Sequence, residues 1–514
     1  MLLIYPPVAK PCEPPAGIAR LAGVLRGNGL EATLLDANLE GLLFLLGSAP
    51  TPDDTWSRRA GKNVAANLAA LRRPATYRNR DRYQRAVADV NRVLEMVGQA
   101  RDIALSLANY QDPALSPLKS ADLLQAARQY ADNLFFAYFS QRLAQLLADK
   151  KPALVGISLN YLSQALTTFA MVGFLKANYP GLQVVLGGGL VTSWLRNPAW
   201  RNPFGGLVDH LVAGPGEAGL LDLLGAAGAR QDHPPSYQDL PLADYLAPGF
   251  ILPYAASAGC YWNRCSFCPE RAEDNPYLPM ADERVVAEVA RLSRQTRPAM
   301  LHFLDNAVRP SLMQALVEQP PGIPWYGFAR VGPKLTDPDF CMALRNSGCV
   351  LLKLGIESGD QAVLDAMDKG IDLEMVSRAL TNLRDAGIGT YVYLLFGTPA
   401  ETIAAARRTL EFVVRHENAI TFLNLAIFNM PVAGPEAGAL ATGDFYEGDL
   451  SLYTDFHHPE GWSRHGVRQF LDREFKRHPV VAAILRRDPA IFTSNHAPFF
   501  IDCYDIAADP LLTG

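Results

Sequence analysis

Ala258-Gly-Cys-Tyr-Trp-Asn-Arg-Cys-Ser-Phe-Cys-Pro269 places three cysteines, Cys260, Cys265 and Cys268, within nine residues, with the next cysteine on either side far away. Three is the informative number. A cubane iron-sulfur cluster has four irons and takes one thiolate each, so three close cysteines without a fourth leave one iron open for a ligand that reacts. A structural zinc site wants four closed ligands, and no histidine or cysteine supplies the fourth nearby. The run follows an apolar, strand-like segment, Phe250 to Ala256, and Gly259 lets the backbone turn tightly into a wrapping loop.

The other cysteines, Cys12, Cys341, Cys349 and Cys503, are scattered, and a total of seven in 514 residues is not a disulfide framework. A reducing, cytoplasmic compartment is expected. No basic-then-apolar leader opens the chain, and the apolar run Leu39 to Leu46 falls far short of the roughly 20 residues that span a bilayer, so no stable membrane insertion is expected. The length predicts two to four domains at about 100 to 200 residues each. A net charge of -5 gives no general argument for a nucleic-acid partner.

Residues 1 to 233 alternate short apolar strands with amphipathic helices. Strands are read at Leu2 to Tyr5, Glu31 to Leu35, Ala153 to Ser158, Gln183 to Leu186 and Val208 to Val212, and helices at Ala16 to Arg26, Leu166 to Asn178 and around Leu220 to Leu224. Five strands with intervening helices imply an open parallel sheet of the doubly wound, flavodoxin-like kind, which binds ligands beyond the carboxyl ends of its strands. Those ends carry Pro6-Pro7, Asp36, Ser158-Leu-Asn160, Gly187-Gly188-Gly189 and Gly214-Pro-Gly216-Glu217. Glycines there let backbone amides approach a large polar ligand, although singly each could be an ordinary turn glycine. Residues 48 to 150 form an insertion of different texture, with helical periodicity at Val64 to Leu71, Tyr83 to Val97 and Leu123 to Leu147. Residues 51 to 150 carry 15 Lys plus Arg against 10 Asp plus Glu, a solvated helical face rather than a nucleic-acid surface, since aromatic and glycine interleaving is lacking.

Residues 234 to 249, rich in Pro, Asp and Tyr, read as a linker. Strand-helix alternation then restarts, with strands at 251 to 256, 300 to 304, 324 to 328, 350 to 355, 390 to 396 and 421 to 427. Helices lie between them at about 282 to 294, 311 to 318, 337 to 346, 373 to 386 and 401 to 415. Six strands joined by right-handed crossovers make a partial (β/α)6 barrel with its chemistry at the strands' carboxyl ends. The cysteine loop occupies the first end, Asp305-Asn306 the second, Arg330 the third, Glu357-Ser358 the fourth and Gly397-Thr-Pro399 the fifth, so their side chains are expected to converge on one mouth. As helix caps or surface charges, Asp305, Arg330 and Glu357 would each look the same singly.

The segments Tyr-Pro-Pro, Pro-Pro-Ala-Gly-Ile-Ala-Arg-Leu-Ala-Gly-Val-Leu-Arg, Val-Val-Leu-Gly-Gly-Gly and Val-Ala-Gly-Pro-Gly-Glu, in this order, resemble the cobalamin-binding domain that precedes many radical SAM enzymes. Residues 250 to 430 resemble the radical SAM core itself. Phe267 is similar to the aromatic that lines the adenine. Leu-Lys-Leu-Gly-Ile-Glu-Ser-Gly, 352 to 359, resembles the fourth-strand motif at the SAM ribose and amino-acid end, and Phe-Gly-Thr-Pro, 396 to 399, resembles the Gly-x-Pro turn. His302-Phe-Leu-Asp-Asn306 stands where cobalamin-dependent members carry an acidic motif for the SAM amino group. The family's usual spacing is Cys-x3-Cys-x2-Cys, whereas four residues, Tyr261 to Arg264, fill the first gap here. There is no histidine before His210, so the Asp-x-His-x-x-Gly motif of other cobalamin proteins is missing and an empty or weakly occupied lower face of the cobalt is expected.

The resemblance implies a [4Fe-4S] cluster on Cys260, Cys265 and Cys268. It implies S-adenosyl-L-methionine (SAM) held by Phe267, Asp305, Arg330, Gly355, Glu357, Ser358 and Gly397, and cobalamin held by Pro7, Ser158, Asn160, Gly187, Gly188, Gly189, Gly214, Gly216 and Glu217. An electron from the cluster would split SAM into methionine and a 5′-deoxyadenosyl radical, the substrate radical would collect a methyl group from the cobalt, and a reductant such as flavodoxin or ferredoxin would supply the electrons. The leading expectation is a C-methyltransferase acting on an unactivated carbon of an unidentified small molecule or peptide. Cyclisation or ring rearrangement is the first alternative. A non-catalytic cobalamin or metal-binding protein with zinc on its cysteines is the alternative of another class. Methylthiotransfer is disfavoured because Cys12 stands alone where those enzymes carry three cysteines. No residue is assigned as a catalytic acid or base. Residues 431 to 514, dense in aromatics and histidine (Tyr453, His457, His458, Trp462, His465, and 492 to 500), are expected to cover the substrate side of the barrel. Trp462 or Tyr453 would wall the pocket, and the loop histidines would bind no metal.

Overall fold

A computed structural model describes residues 1–48, 54–444, 447–489 and 495–501, which leaves Cys503 and residues 492–494 of the 492–500 segment outside the described residues. The chain divides into two compact units, one of residues 1–250 with 446–452 and 490–495, the other of residues 251–445, 453–489 and 496–514.

The first unit is built on a five-stranded parallel sheet of β1 (Leu2–Tyr5), β2 (Thr33–Asp36), β3 (Leu154–Ser158), β4 (Gln183–Gly187) and β5 (His210–Leu211), in the order β2-β1-β3-β4-β5. That is the flavodoxin-like order, with the strand sequence reversing between β1 and β3. The strands are near-continuous apolar runs because helices cover both faces of such a sheet, and Leu3, Ile4, Val155, Ile157, Val184 and Leu186 are buried. The segment between β2 and β3 is helical over Thr55–Leu71, Arg80–Gln99, Ser120–Arg128 and Phe136–Lys150. The helix expected at Leu123 to Leu147 is broken in two, because Asn133 adopts an extended conformation and its Oδ1 accepts from the Phe135 amide at 3.0 Å.

Residues 234–249 do not behave as a free linker. Tyr237, Leu240, Tyr245 and Leu246 are buried, the Ser236 amide donates to Ala19 O, and the Leu246 amide donates to Pro11 O. Proline removes backbone donors without preventing burial of the tyrosines beside it. Nor does the C-terminal region lie wholly over the barrel: residues 447–452 belong to the first unit, where Asp449 Oδ1 accepts from the Ser120 amide at 2.8 Å.

The second unit is a six-stranded, all-parallel sheet of β6 (Ile251–Tyr254), β7 (Met300–Phe303), β8 (Trp325–Ala329), β9 (Cys349–Glu357), β10 (Gly389–Phe396) and β11 (Phe422–Ile427), whose neighbours follow chain order. Helices at Asp282–Thr296, Pro310–Glu318, Pro338–Asn346, Leu373–Asp385 and Ile403–Arg415 make the crossovers, each burying an apolar stripe such as Val376, Ala379, Leu380 and Leu383. Side chains on one face of the strands form an aromatic and polar floor. Lys353 Nζ lies 3.2 Å from His302 Nε2 and near the rings of Tyr326 and Phe328, while Phe328, Tyr393 and Tyr391 pack in series. No helix among the described residues is long and apolar enough to cross a membrane.

Candidate functional site

The cysteine run leaves the sheet at the carboxyl end of β6. Ser257–Ala258 pairs antiparallel with Leu278–Pro279, so residues 259–277 form a loop closed at its root. Gly259 is required there twice: its φ is +72°, and a Cβ would sit 2.4 Å from Pro276 O. Asp305, two residues beyond Phe303 at the end of β7, is buried, and its two carboxylate oxygens accept from the Ala256 amide (2.9 Å) and the Ser257 hydroxyl. Burial raises its pKa, and the Ser257 and Ala256 donors oppose that shift. Arg309, ion-paired with Asp282, reaches the carbonyls of Ala256 and Met280. Asp305 and Arg309 therefore fasten both strands of the loop's root.

All three cysteines are half-buried and carry free thiols. Burial pushes the Cys268 thiol up to about 11, while the amides of Glu270 and Arg271 favour its thiolate. Burial likewise raises Cys265, against the pull of Lys369 and Arg330. Among the described residues no three His, Cys, Asp or Glu side chains converge on one ion position. Ligands that each take a separate iron of a cubane have no need to converge on a single point, so this donor set fits a cluster with an open iron better than a mononuclear zinc. Two polar atoms of the loop, Ser266 Oγ and Tyr277 Oη, are enclosed without a partner among the described residues.

The expected SAM residues separate into two groups. Phe267, Gly355 and Glu357 gather around Lys369. Lys369 Nζ pairs with Glu357 Oε1 at 2.8 Å and lies 5.4 Å from the Phe267 ring, and a Cβ on Gly355 would fall 2.5 Å from that carboxylate oxygen. Glu357 itself sits at φ +70° where the pairing of β9 with β10 slips, a strained geometry typical of sites that aim a side chain. The other group is spent inside the protein. Ser358 is 0% exposed, and its Oγ bonds Thr409 Oγ1 and accepts from the amide of Asp360, the N-cap residue of the following helix, instead of facing an open mouth. Arg330 stacks its guanidinium 3.8 Å above the Trp262 ring and donates to the carbonyls of Lys369 and Gly370. Gly397, at φ +80°, gives its amide to the buried Glu401 carboxylate at 2.5 Å.

Sequence reasoning passed over Trp262, Lys369, Arg309 and Glu401. Lys369 follows a short helix, Gln361–Ala366, that the periodicity did not reveal, while Trp262 stood in plain view inside the unexplained gap. In the C-terminal region a small cavity is lined by Gly397, Phe428, His458, Trp462 and Arg464, with Thr454 rather than Tyr453 on its wall. His458 is engaged by Thr398 O and the Glu460 amide, and His465 by Gln469.

At the carboxyl edge of the first unit's sheet, the expected loops are laced together. Asn160 donates to Ser158 and accepts from the Gly189 amide at 2.9 Å. Thr192 Oγ1 accepts from the Gly214 amide, and Gln164 donates to Pro6 O beside the buried Pro7. Gly188 adopts φ +101° against Leu159 O. Gly187, Gly188, Gly189 and Gly214 leave this edge without side chains. Gly216 packs near Leu21, and Glu217 turns away to pair with Arg20 at 3.1 Å. The described histidines in this unit, His210 on β5 and His233 just before residue 234, lie outside these loops.

A model of the radical SAM superfamily matches residues 255–413. An uncharacterized methyltransferase of Pyrococcus horikoshii is 26% identical over 188 residues, covering 35% of this chain and 40% of that protein. The bacteriochlorophyllide d C-12(1)-methyltransferase of Chlorobaculum tepidum is 23% identical over 181 residues, covering 32% and 38%. The anaerobic magnesium-protoporphyrin IX monomethyl ester cyclase of Rubrivivax gelatinosus is 26% identical over 159 residues, covering 29% and 28%. The matched part of the chain spans less than half the length of each of these relatives. The radical S-adenosylmethionine methyltransferase TsrM of Kitasatospora setae, solved with tryptophan and a SAM analogue, superposes with a TM-score of 0.51 at 16% identity over 91% of this chain and 82% of that one. Its form with cobalamin and a [4Fe-4S] cluster gives 0.50 at 17% identity, over 86% and 77%. Residues 255–413 of the chain thus match the radical SAM superfamily, and over most of its length the chain is similar in fold to TsrM.

Proposed function

We propose that this protein is a cobalamin-dependent radical SAM enzyme that methylates an unactivated carbon. The observation that carries the reading is the closed loop at the end of β6. It offers three half-buried thiols and no fourth ligand, beside the cations Lys369 and Arg330 and two enclosed polar atoms, Ser266 Oγ and Tyr277 Oη, that have no partner among the described residues. When bound, the cluster and SAM supply a 5′-deoxyadenosyl radical and cobalamin supplies the methyl group. Cys260, Cys265 and Cys268 hold the cluster. The Glu357–Lys369 pair presents adjacent opposite charges, complementary to the ammonium and carboxylate of the methionine end of SAM, and Phe267 offers a ring to the adenine. Asp305 contributes by holding the root of the loop. In the first unit, Pro7, Ser158, Asn160, the glycines 187–189 and Gly214 form the cobalamin-facing edge, while Gly216 and Glu217 brace the helix behind it.

The kinship with the Rubrivivax cyclase supports ring formation as the second reading. Anaerobic reconstitution with cobalamin, SAM and a flavodoxin or ferredoxin reductant, followed by mass analysis of the SAM products, separates the two. S-adenosylhomocysteine together with 5′-deoxyadenosine supports methylation, and deoxyadenosine alone supports cyclisation or rearrangement. A colourless protein after reconstitution rejects both and leaves a non-catalytic binding protein.

A further inference from the structure

The first cysteine gap holds four residues, and the structure gives that length a purpose. Asn263 takes the left-handed conformation, φ +43°, which asparagine tolerates better than other side-chain-bearing residues. On either side of it, Trp262 and Arg264 both reach residues 367–370, the turn that carries Lys369. The Trp262 indole N–H donates to Asp368 O at 3.0 Å, Arg264 pairs with the Asp368 carboxylate at 3.2 Å, and the Ser266 amide donates to Met367 O at 3.0 Å. Arg330 closes the arrangement from above, stacked at 3.8 Å on the indole, while its NH2 group donates to Lys369 O and Gly370 O. Gly370 completes the socket: a Cβ there would lie 2.2 Å from Trp262 Cζ2.

We propose that Trp262 is a positioning residue: its indole pins the cysteine loop to the 367–370 turn and engages Arg330, so that Arg330 fixes the loop rather than gripping SAM. The consequence for chemistry runs through Lys369. The turn that receives Trp262 also sets the Glu357–Lys369 pair and the Lys369–Phe267 contact, so the clamp fixes the distance between the thiols and the proposed SAM-binding charges. This consequence rests on the cluster and SAM reading of the site, whereas the clamp itself is a property of the chain.

The test uses the full-length chain with Trp262→Phe, Trp262→Ala, Gly370→Ala and the Trp262→Ala/Gly370→Ala pair. Limited proteolysis of the cluster-free protein reads the clamp directly. Trp262→Ala should raise cleavage within residues 260–277 about tenfold, equivalent to about 1.4 kcal/mol. Trp262→Phe, which keeps an aromatic ring for Arg330 but loses the N–H and part of the indole's area, should fall between it and wild type. Gly370→Ala, which adds the strain of a left-handed φ of +61° to the clash with the indole, should be at least as disruptive as Trp262→Ala, and the pair should cost less than the sum of the two, because both act on one packing. In the reconstituted enzyme, Trp262→Phe should keep its iron and sulfide while the KM for SAM rises more than kcat falls. The proposal is overturned if Trp262→Ala leaves cleavage unchanged, if the two effects simply add, or if the KM for SAM is indifferent to Trp262 in a protein that holds its cluster. A wild-type chain that takes up no cluster would sink the function reading instead, and the proteolysis series would still decide whether the clamp exists.

Discussion

Glu401 offers a prediction whose size follows from its surroundings. Its side chain is fully enclosed, one oxygen accepts from the Gly397 amide at 2.5 Å, and the other has no partner among the described residues. Burial is the largest cause that lifts its pKa from 4.5 to about 8, the Gly397 amide opposes it, and the nearby Asp360, itself paired with Arg408, adds to it. Between these two values the folded chain keeps a proton that the unfolded chain has released. Stability is therefore full below pH 4.5 and falls as pH rises toward 8, at about 1.4 kcal/mol per pH unit in the middle of the window, for a total of at most about 5 kcal/mol. Glu401→Gln mimics the protonated acid and removes the titration. Urea unfolding at pH 5, 6, 7 and 8 should show the variant within about 1.5 kcal/mol of wild type at pH 5, since one neutral hydrogen-bonding group replaces another. The variant should then gain on wild type by several kcal/mol at pH 8. A difference between the two proteins that stays constant across these pH values would refute the reasoning, because no other group is changed.

Three further perturbations address the loops. Gly259→Ala forces a Cβ to within 2.4 Å of Pro276 O at φ +72°, a strain of about 1–3 kcal/mol, and should cut iron and sulfide bound per chain after anaerobic reconstitution. Asp305→Ala strands the buried Ala256 amide at a cost of about 1–3 kcal/mol, so cleavage at the loop root by a protease should quicken; unchanged cleavage would show that the antiparallel pairing suffices. Asn160→Ala removes the acceptor of the Gly189 amide and should hasten loss of cobalamin on gel filtration while leaving the iron content of the second unit untouched.

Strand and helix order was legible in the chain because both sheets are parallel and buried, which leaves near-continuous apolar runs separated by amphipathic helices. All six strands of the second unit's parallel sheet and all five of the first appear where periodicity puts them, with ends displaced by at most two residues. What the pattern could not convey was tertiary use. The polar residues at the strand ends all looked ligand-facing, yet Asp305 turns to a backbone amide, Ser358 to a helix terminus and Arg330 to a tryptophan. Direction at a strand end depends on where the next loop returns, and that loop's course is set by contacts hundreds of ångströms of extended chain away in sequence. The same holds for residues 234–249, where tyrosines beside prolines pack inward, and for Lys369, whose importance rests on a bulge in β9 that no alternation pattern encodes.

These turned-in side chains bear on how such a site keeps its geometry. On the proposed reading, a loop that must present three thiolates to a cluster cannot bury its own apolar core, so its order has to come from polar ties to rigid elements. Here the ties are distributed over three strand ends. Asp305 after β7 holds the root, Arg330 after β8 presses on Trp262, and the 367–370 turn following β9 takes the indole N–H and the Ser266 amide. Each belongs to a different crossover, so loosening one strand end leaves the others in place, and the loop should fail by degrees instead of all at once. The Glu357–Lys369 pair, carried by β9 and the turn that receives Trp262, also sets two opposite charges side by side. A zwitterionic ligand could insert between them by exchanging one ion pair for two, which conserves charge pairing in a site too enclosed to leave either partner alone.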